Sequence, residues 1–567
     1  MRREEPPRAG KILLRWASPA EGRYRGGYLF VIFLLLLTIP AGFAHAGAKG
    51  SSNVPLPAEL VVLIPGPDVP AETAALVGAW EGKWSNGNTS ILVIYQVEKD
   101  SARVFHSFAE NSEYLPWHQW ARASIVTGSR PRLAWKTDWA DFSFELSEDG
   151  RVLSGTWLES SREGGRIRNT AAMTARNIER VGRDRLQSPF VCPEFGQELH
   201  LIEKEPNPAR RQARADALVE RVTKGGTPLV ESSGRVNQVC TSFLYRGAGS
   251  EIAIAGHMNG WSEQKDFLSR VADTDLFYFC GEYPVDSRIE YKLVVGGKPI
   301  LDPLNPRIQL FGKGSNSEAL MPGYVFPKEI EPNPGTARGT VEDLAIGSSQ
   351  DGMGRTATVY LPAGYANSRE RYPVLYLNDA YGVLKFGRIT TILDNLIGGK
   401  KIPPLIAVLL PSGKDRIGDY GMNSAFESFF VRDVVPLVDR RYRTRPSPEF
   451  RAVGGISAGA TAALSVAIHH PDVFGKCIAQ STATKLVPLI DLARTGPSRP
   501  ISVYLDVGRF EADFNGHDLV DASRRIRDAL ATHGCPVYYR EVNDGHGWAN
   551  WRSRSREALL FLFGREI

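Results

Sequence analysis

The chain has 567 residues, 43% of them hydrophobic and 23% charged, with a formal net charge of +5. That length excludes a single ordinary domain and points to roughly three or four, and the composition excludes a disordered chain. Seven basic and three acidic residues lie within the first 46, so the remainder is near +1 and the basic balance is no argument for a nucleic-acid partner.

Residues 1–46 combine scattered Arg and Lys, the apolar run LFVIFLLLLTI (29–39) and Ala44-His45-Ala46. A basic start, a short apolar run and an A-x-A site read as a secretory signal peptide, so the expectation is an exported protein, periplasmic or extracellular. The run is shorter than the about 20 residues a membrane span needs, so no stable span is expected once the leader is cleaved. Retention as an N-terminal membrane anchor is the alternative.

Residues 47–77, rich in Pro, Ala and Gly, read as a linker. Residues 78–180 carry strand patterns, SILVIYQV (90–97) and DFSFELSEDGRVLSGTWL (141–158), with a hairpin signal at Glu148-Asp149-Gly150. They predict a small antiparallel β-barrel or sandwich. GAWEGKWSNG (78–87) resembles the opening strand of lipocalin-like barrels, which can hold a small ligand; as core aromatics, Trp80 and Trp84 need no ligand.

Residues 181–235 read as a linker plus one amphipathic helix, PARRQARADALVERVTK (208–224), with Leu218, Val219 and Val222 on one side. Residues 236–325 return to strand patterns and predict a β-sandwich. There, IAIAGHMNGW followed by YKLVVGGKPILDPLNP resembles the immunoglobulin-like early-set domains that precede isoamylase and enterochelin esterase catalytic domains. Trp261 in the N-G-W turn could stack on a sugar or pack beneath the turn. Five cysteines, with no C-x-x-C pair, exclude a disulfide scaffold and give no zinc motif. Buried free thiols are expected, with Cys240–Cys280 the first disulfide to test.

From 340 to 567, short apolar runs alternate with helical patterns. The runs are TATVYL (356–361), PVLYL (373–377), LIAVLL (405–410), RAVGGI (451–456), ISVYLDV (501–507) and VYYREV (537–542). Alternation predicts a mainly parallel sheet with helices on both faces. Within it stands Gly455-Ile456-Ser457-Ala458-Gly459. Roughly 0.4 such matches arise by chance in a chain this long, so the motif alone decides nothing. Its setting does: RAVGG supplies a strand and AGATAALSVAIHH a helix, the context of a nucleophile elbow.

A serine nucleophile needs an acid and then a histidine further along the chain. His546, in NDGHGWANW after the last strand, is the expected base. His469 and His470 end a helix, whereas His517 and His533 flank another and read as solvated. The acid belongs just after ISVYLDV: Glu511 leads and Asp513 is the alternative, with Asp506 still in the strand and Asp518 further on. The oxyanion hole is expected from backbone N–H groups of Ala458 and of the loop near Asp379, Ala380 and Tyr381, with Ala380 preferred. Arg416, Trp548 and Trp551 are candidate substrate contacts. No metal and no cofactor is implied.

RTATVYLPAGY, YPVLYLNDAYG, FFVRDVVPLVDRRY, AVGGISAGATAAL, HHPDVFGKCIAQST, LDVGRFE and DGHGWANWR together resemble an esterase family of α/β-hydrolases. That family includes enterochelin esterases, feruloyl esterases and S-formylglutathione hydrolase. The resemblance implies Ser457 as nucleophile and His546 as base. Three functions follow as expectations. The first is hydrolysis of siderophore-type or other acyl or aryl esters, with a small-molecule ester as partner; the second is hydrolysis of acylated glycans with a sugar-binding sandwich. The third is a non-catalytic ligand-binding protein on a hydrolase scaffold.

Overall fold

The computed structural model describes residues 54–564, apart from 58–59, 127–129, 161–164, 183–189, 250, 312–313 and 348–353. The expected leader lies outside the described residues. No helix among the described residues is long and apolar enough to cross a membrane.

Eight antiparallel strands from Gly78–Trp84 to Arg166–Arg176 form a closed barrel, each paired with the next and the last returning to the first. Alternation puts Trp84, Phe108, Phe142, Phe144 and Leu153 inside, each at most 2% exposed. Trp84 donates its indole N–H to Ser90 Oγ at 2.8 Å and Trp80 to the Leu76 carbonyl at 2.9 Å, so both are satisfied core aromatics. The expected linker is partly structural: Val62–Leu63 pairs with Arg180–Val181, and Val62, Leu76 and Val77 are buried in the barrel's core. Apolar residues scattered among Pro and Gly concealed this contact.

Two sheets of four and six strands follow, between Leu229 and Leu320. The first strand, Leu229–Ser232, begins before the expected boundary at 236. Two helices rather than one precede it, Pro193–Glu203 and Pro208–Gly225. Phe195, Leu199, Leu218 and Val222 pack them against Leu244 and Tyr278 of the sheet. The disulfide joins Cys192 to Cys240, not Cys240 to Cys280. Ser242, not Cys240, stands opposite Cys280 in the ladder, whereas Cys240 meets the start of the helix at Cys192, in the same buried cluster. Cys280, Cys477 and Cys535 are buried free thiols.

The C-terminal sheet has eight strands in the order Thr340–Ile346, Arg355–Leu361, Ile406–Leu410, Val374–Asn378, Arg451–Ile456, Lys476–Gln480, Ser502–Gly508 and Val537–Val542. The first three pair antiparallel and the rest parallel. Every residue of Arg451–Ile456 is buried, as expected for a central strand covered on both faces. The helix after it, Ala458–His469, is buried all round from Ala458 to Ile468; its small residues let it lie close against the sheet. The helical stretch from Ser424 to Arg441 is divided by a π-turn at Phe430–Val434, just before Pro436, whose missing N–H cannot join an α-helical ladder.

Candidate active site

The turn from strand Arg451–Ile456 into helix Ala458–His469 holds Ser457 at φ 58°, ψ −128°, a conformation costly for a residue with a side chain. The chain accommodates it by crowding two glycines. A Cβ on Gly455 would lie 2.1 Å from the Gly459 carbonyl oxygen, and one on Gly459 would lie 2.9 Å from Asp379 Oδ2. Only hydrogen fits at either place.

His546 Nε2 lies 2.8 Å from Ser457 Oγ, and His546 Nδ1 lies 2.7 Å from Glu511 Oε2. An ionised carboxylate only accepts, so Nδ1 carries the hydrogen and Nε2 accepts from the serine hydroxyl. Glu511 is fully buried in the short turn Arg509–Asp513. Burial opposes its ionisation, but the charge and hydrogen bond of His546, the Arg554 guanidinium and the Ser481 hydroxyl outweigh it and hold the carboxyl below its ordinary range. Its second oxygen accepts from Ser481 Oγ at 2.7 Å and from the Gly508 N–H at 2.8 Å.

Asp513 does not compete for this place. It pairs with His118 of the barrel at 3.1 Å and with Lys265 of the sandwich at 3.8 Å, so it ties three regions together. Two residues along a tight turn, its carboxylate leaves on another side. Asp506 is buried in its strand and paired with Arg554 at 2.9 Å, and Asp518 caps the helix Leu519–Thr532. His469 bonds Glu427 and His533 the Arg494 carbonyl. His517, expected in solvent, is docked by an isolated bridge on Trp117 of the barrel. Burial, and then His118, lower its pKa to about 4.

Ala458 and Ala380 each open a helix, and the first N–H groups of a helix have no intrahelical acceptor. Asn378 Nδ2 donates to the Gly459 carbonyl at 2.9 Å, linking the two openings. Arg416 grips Asp379 with two hydrogen bonds of 2.7 Å, while the Tyr420 hydroxyl accepts from the Asp379 N–H at 3.1 Å. The guanidinium expected to meet substrate is thus engaged in fixing this loop.

Trp551 is not a substrate contact: it is 3% exposed, stands edge-on to His546 with centroids 4.8 Å apart, and donates to Ser481 Oγ at 2.9 Å. The 3.6-residue repeat of its helix, Trp548–Phe563, turns it inward, whereas Trp548 is half-buried against Gly382. Ser481, Phe514, Arg554 and His257 escaped the sequence reading. Phe514 stacks on His546 at 3.9 Å, and Arg554 Nη2 lies 3.7 Å from Glu511 and 3.6 Å from Asp544. Spacing offered one clue, Arg554 falling three residues after Trp551 on the same helix face.

The sandwich buttresses both loops that carry Glu511 and His546. A Cβ on Gly260 would lie 1.9 Å from the Asp513 carbonyl oxygen, and one on Gly545 would lie 2.4 Å from His257 Cγ. Arg288, fully buried, donates to Asn550 at 2.7 Å, just beyond the His546 loop.

Residues 348–562 match the family described as Putative esterase. An endo-1,4-beta-xylanase/feruloyl esterase of Xylanibacter ruminicola is 30% identical over 27% of this chain and 22% of its own length. The iron(III) enterobactin esterase of Dickeya dadantii is 24% identical over 62% of this chain and 93% of its own. The crystal structure of the ferric enterobactin esterase from Salmonella typhimurium superposes with a TM-score of 0.51 at 18% identity, covering 61% of this chain and 98% of that one, a likeness of fold. Residues 348–562 are thus similar to an esterase family of α/β-hydrolase type, and the match and these relatives support a carboxylic-ester hydrolase.

Proposed function

We propose that the chain is an exported serine esterase, with an α/β-hydrolase domain at 340–567 preceded by an immunoglobulin-like sandwich and a lipocalin-like barrel. Ser457 Oγ attacks the ester carbonyl as His546 Nε2 takes its proton; Glu511 orients the imidazole and stabilises the imidazolium that forms. The N–H groups of Ala458 and Ala380 receive the oxyanion, each worth about 3 kcal/mol at the transition state. His546 returns the proton to the departing alcohol, and water, activated by the same imidazole, then releases the acyl group.

The observation that carries this reading is the unbroken line of hydrogen bonds from Glu511 through His546 to Ser457, at 2.7 and 2.8 Å. It also weighs against a non-catalytic scaffold. The likeness to enterobactin esterase along most of that protein's length favours siderophore-type or other acyl and aryl esters. The Cys192–Cys240 disulfide supports export to an oxidising compartment. Full-length protein should hydrolyse 4-nitrophenyl acetate, and Ser457→Ala should lower kcat by about 10³-fold or more; turnover that survives the substitution would sink the mechanism.

A further inference from the structure

We propose that the mouth of the barrel is a binding site for a neutral saccharide of two or three rings, opening beside the Ser457–His546–Glu511 constellation. A cavity of about 840 Å³ lies there, closed on one side by Asn515 and His517 of the C-terminal region. Pockets for ligands of drug size span roughly 300–1,000 Å³, so two or three pyranose rings fit.

The lining chemistry selects the ligand. Trp117, Trp139 and Trp157 line the cavity, and Trp139 keeps 37% of its surface exposed. Trp117 is stacked on Phe108 at 4.1 Å and met edge-on by Trp139 at 5.3 Å, so its ring is held rigid before any ligand arrives. Fixed indoles offer apolar area at little entropic cost, which suits the C–H faces of a sugar ring.

Around them stand planar amides. Asn111 donates to Asn88 at 2.8 Å and accepts from the Glu113 and Tyr114 N–H groups, while Asn86 accepts from the Asn88 N–H, so these loops are preset. Trp157, Gln119 and His517 line the same space, and their Nε1, Nε2 and Nδ1 atoms are buried with no hydrogen-bond partner among the described residues. Sugar hydroxyls both donate and accept, as do the side-chain amides of Asn86, Asn88, Asn111 and Gln119 that line the cavity.

Charge excludes the other candidates. The lining includes Glu113 and Glu159 but no Lys or Arg. Burial, and then the neighbouring Glu113, raise the Glu159 pKa, a sign that the pair is already crowded. An anionic metal–catecholate complex would meet repulsion there. A small cation would suit the carboxylates but would make no use of the three indole rings.

The cavity and the triad share one segment. Phe514 stacks on His546, whereas Asn515 and His517, one and three residues on, line the cavity. The segment is fastened to the barrel by the His118 N–H donating to the Gly516 carbonyl at 3.1 Å and by the Trp117–His517 bridge. A saccharide seated at the mouth would therefore direct an attached acyl group toward Ser457. This consequence rests on the serine-esterase reading, which it narrows to esters of saccharides; the binding site itself does not.

The test uses full-length Ser457→Ala protein titrated with xylotriose, cellotriose, maltotriose and tri-N-acetylchitotriose, read by tryptophan fluorescence and calorimetry. At least one should bind saturably below about 10 mM. Trp139→Ala in that background should weaken it by about tenfold, the scale of a lost aromatic contact. Gln119→Ala carries the same test should Trp139→Ala not fold. The proposal is overturned if no trisaccharide saturates, if neither substitution weakens binding, or if only tetramethylammonium binds. Hydrolysis of 4-nitrophenyl acetate by the unsubstituted chain is scored separately. Sugar binding without hydrolysis would refute the esterase and keep the site, and hydrolysis without sugar binding would do the reverse.

Discussion

The surroundings of Glu511 and the barrel mouth treat polar atoms in opposite ways. Around Glu511, hydrogen bonds are spent inside the protein, one oxygen on His546 and the other on Ser481 and Gly508. At the barrel mouth, Trp157, Gln119 and His517 keep buried nitrogens without partners among the described residues. A group that must hold one geometry through a reaction gains from closed bonds, because its reorganisation was completed on folding. A group that must answer a ligand has to remain open, at a cost to the unliganded fold. The Asp513–His517 segment lies between these two regimes and belongs to both.

The sharpest way to break this contrast is to open the closed side. Glu511→Gln keeps the shape but replaces an acceptor-only group with an amide, which stabilises the wrong tautomer of His546; kcat should fall by about 10³- to 10⁴-fold. Asp513→Asn, changed in the clamp on His118 and Lys265, should keep kcat within about tenfold. Equal losses in ester hydrolysis for the two variants would show that the closed network does not end at Glu511. Next in size comes Gly260→Ala. Its φ of 64° and the 1.9 Å approach to the Asp513 carbonyl leave no room for a methyl group, so about 2–4 kcal/mol of stability should be lost, visible as a lower Tm. An unchanged Tm would show that the sandwich does not brace the Glu511 turn.

How much of this was legible depended on how local the signal was. Six of the eight C-terminal strands stood out as apolar runs, and Ser457 was marked by a strand, a glycine turn and an alanine-rich helix. Thr340–Ile346 was missed because its Glu and Asp residues face solvent at a sheet edge, and Lys476–Gln480 because its polar ends leave only Cys477, Ile478 and Ala479 as an apolar run. Glu511 and His546 could be ranked by chain order, since each follows one of the last two strands. Asp513 and Trp551 could not be sorted by type: a carboxylate two residues off along a turn, or an indole three positions round a helix, differs only in direction. The bonds from Ser481, Arg554 and His257 join segments far apart in sequence, and no residue pattern announces such contacts.

A smaller effect should come from Ser481→Ala. Its hydroxyl donates to Glu511 and accepts from Trp551 and, at 3.3 Å, from Arg554. Removing one buried hydrogen bond to a charged group costs about 1.5–3 kcal/mol. Because Gly508 and Arg554 still face the carboxylate, kcat should drop by about tenfold with KM unchanged. A rise in KM alone would place Ser481 in substrate binding instead.

The smallest effect is one of pH. Arg554 faces Glu511 and Asp544 at similar distances, yet the two acids shift in opposite directions: Glu511 is held low, whereas burial raises Asp544 to about 7 despite the nearby arginine. Asp544 is 3% exposed, and its Oδ1 has no hydrogen bond among the described residues. Between its ordinary value of 3.8 and about 7, native Asp544 holds a proton that the unfolded chain has released, so its contribution to stability falls as pH rises through that window. Glu511, with its pKa depressed, acts in the other direction: its contribution is present above its ordinary 4.5 and is lost as pH falls through the native value. Asp544→Asn removes only the first of these. The fall in Tm from pH 5 to pH 8 should therefore be smaller in Asp544→Asn than in the unsubstituted chain, while the loss below pH 4.5 remains; identical Tm profiles would mean that Asp544 is ionised in the native state and shares Arg554 as an equal of Glu511.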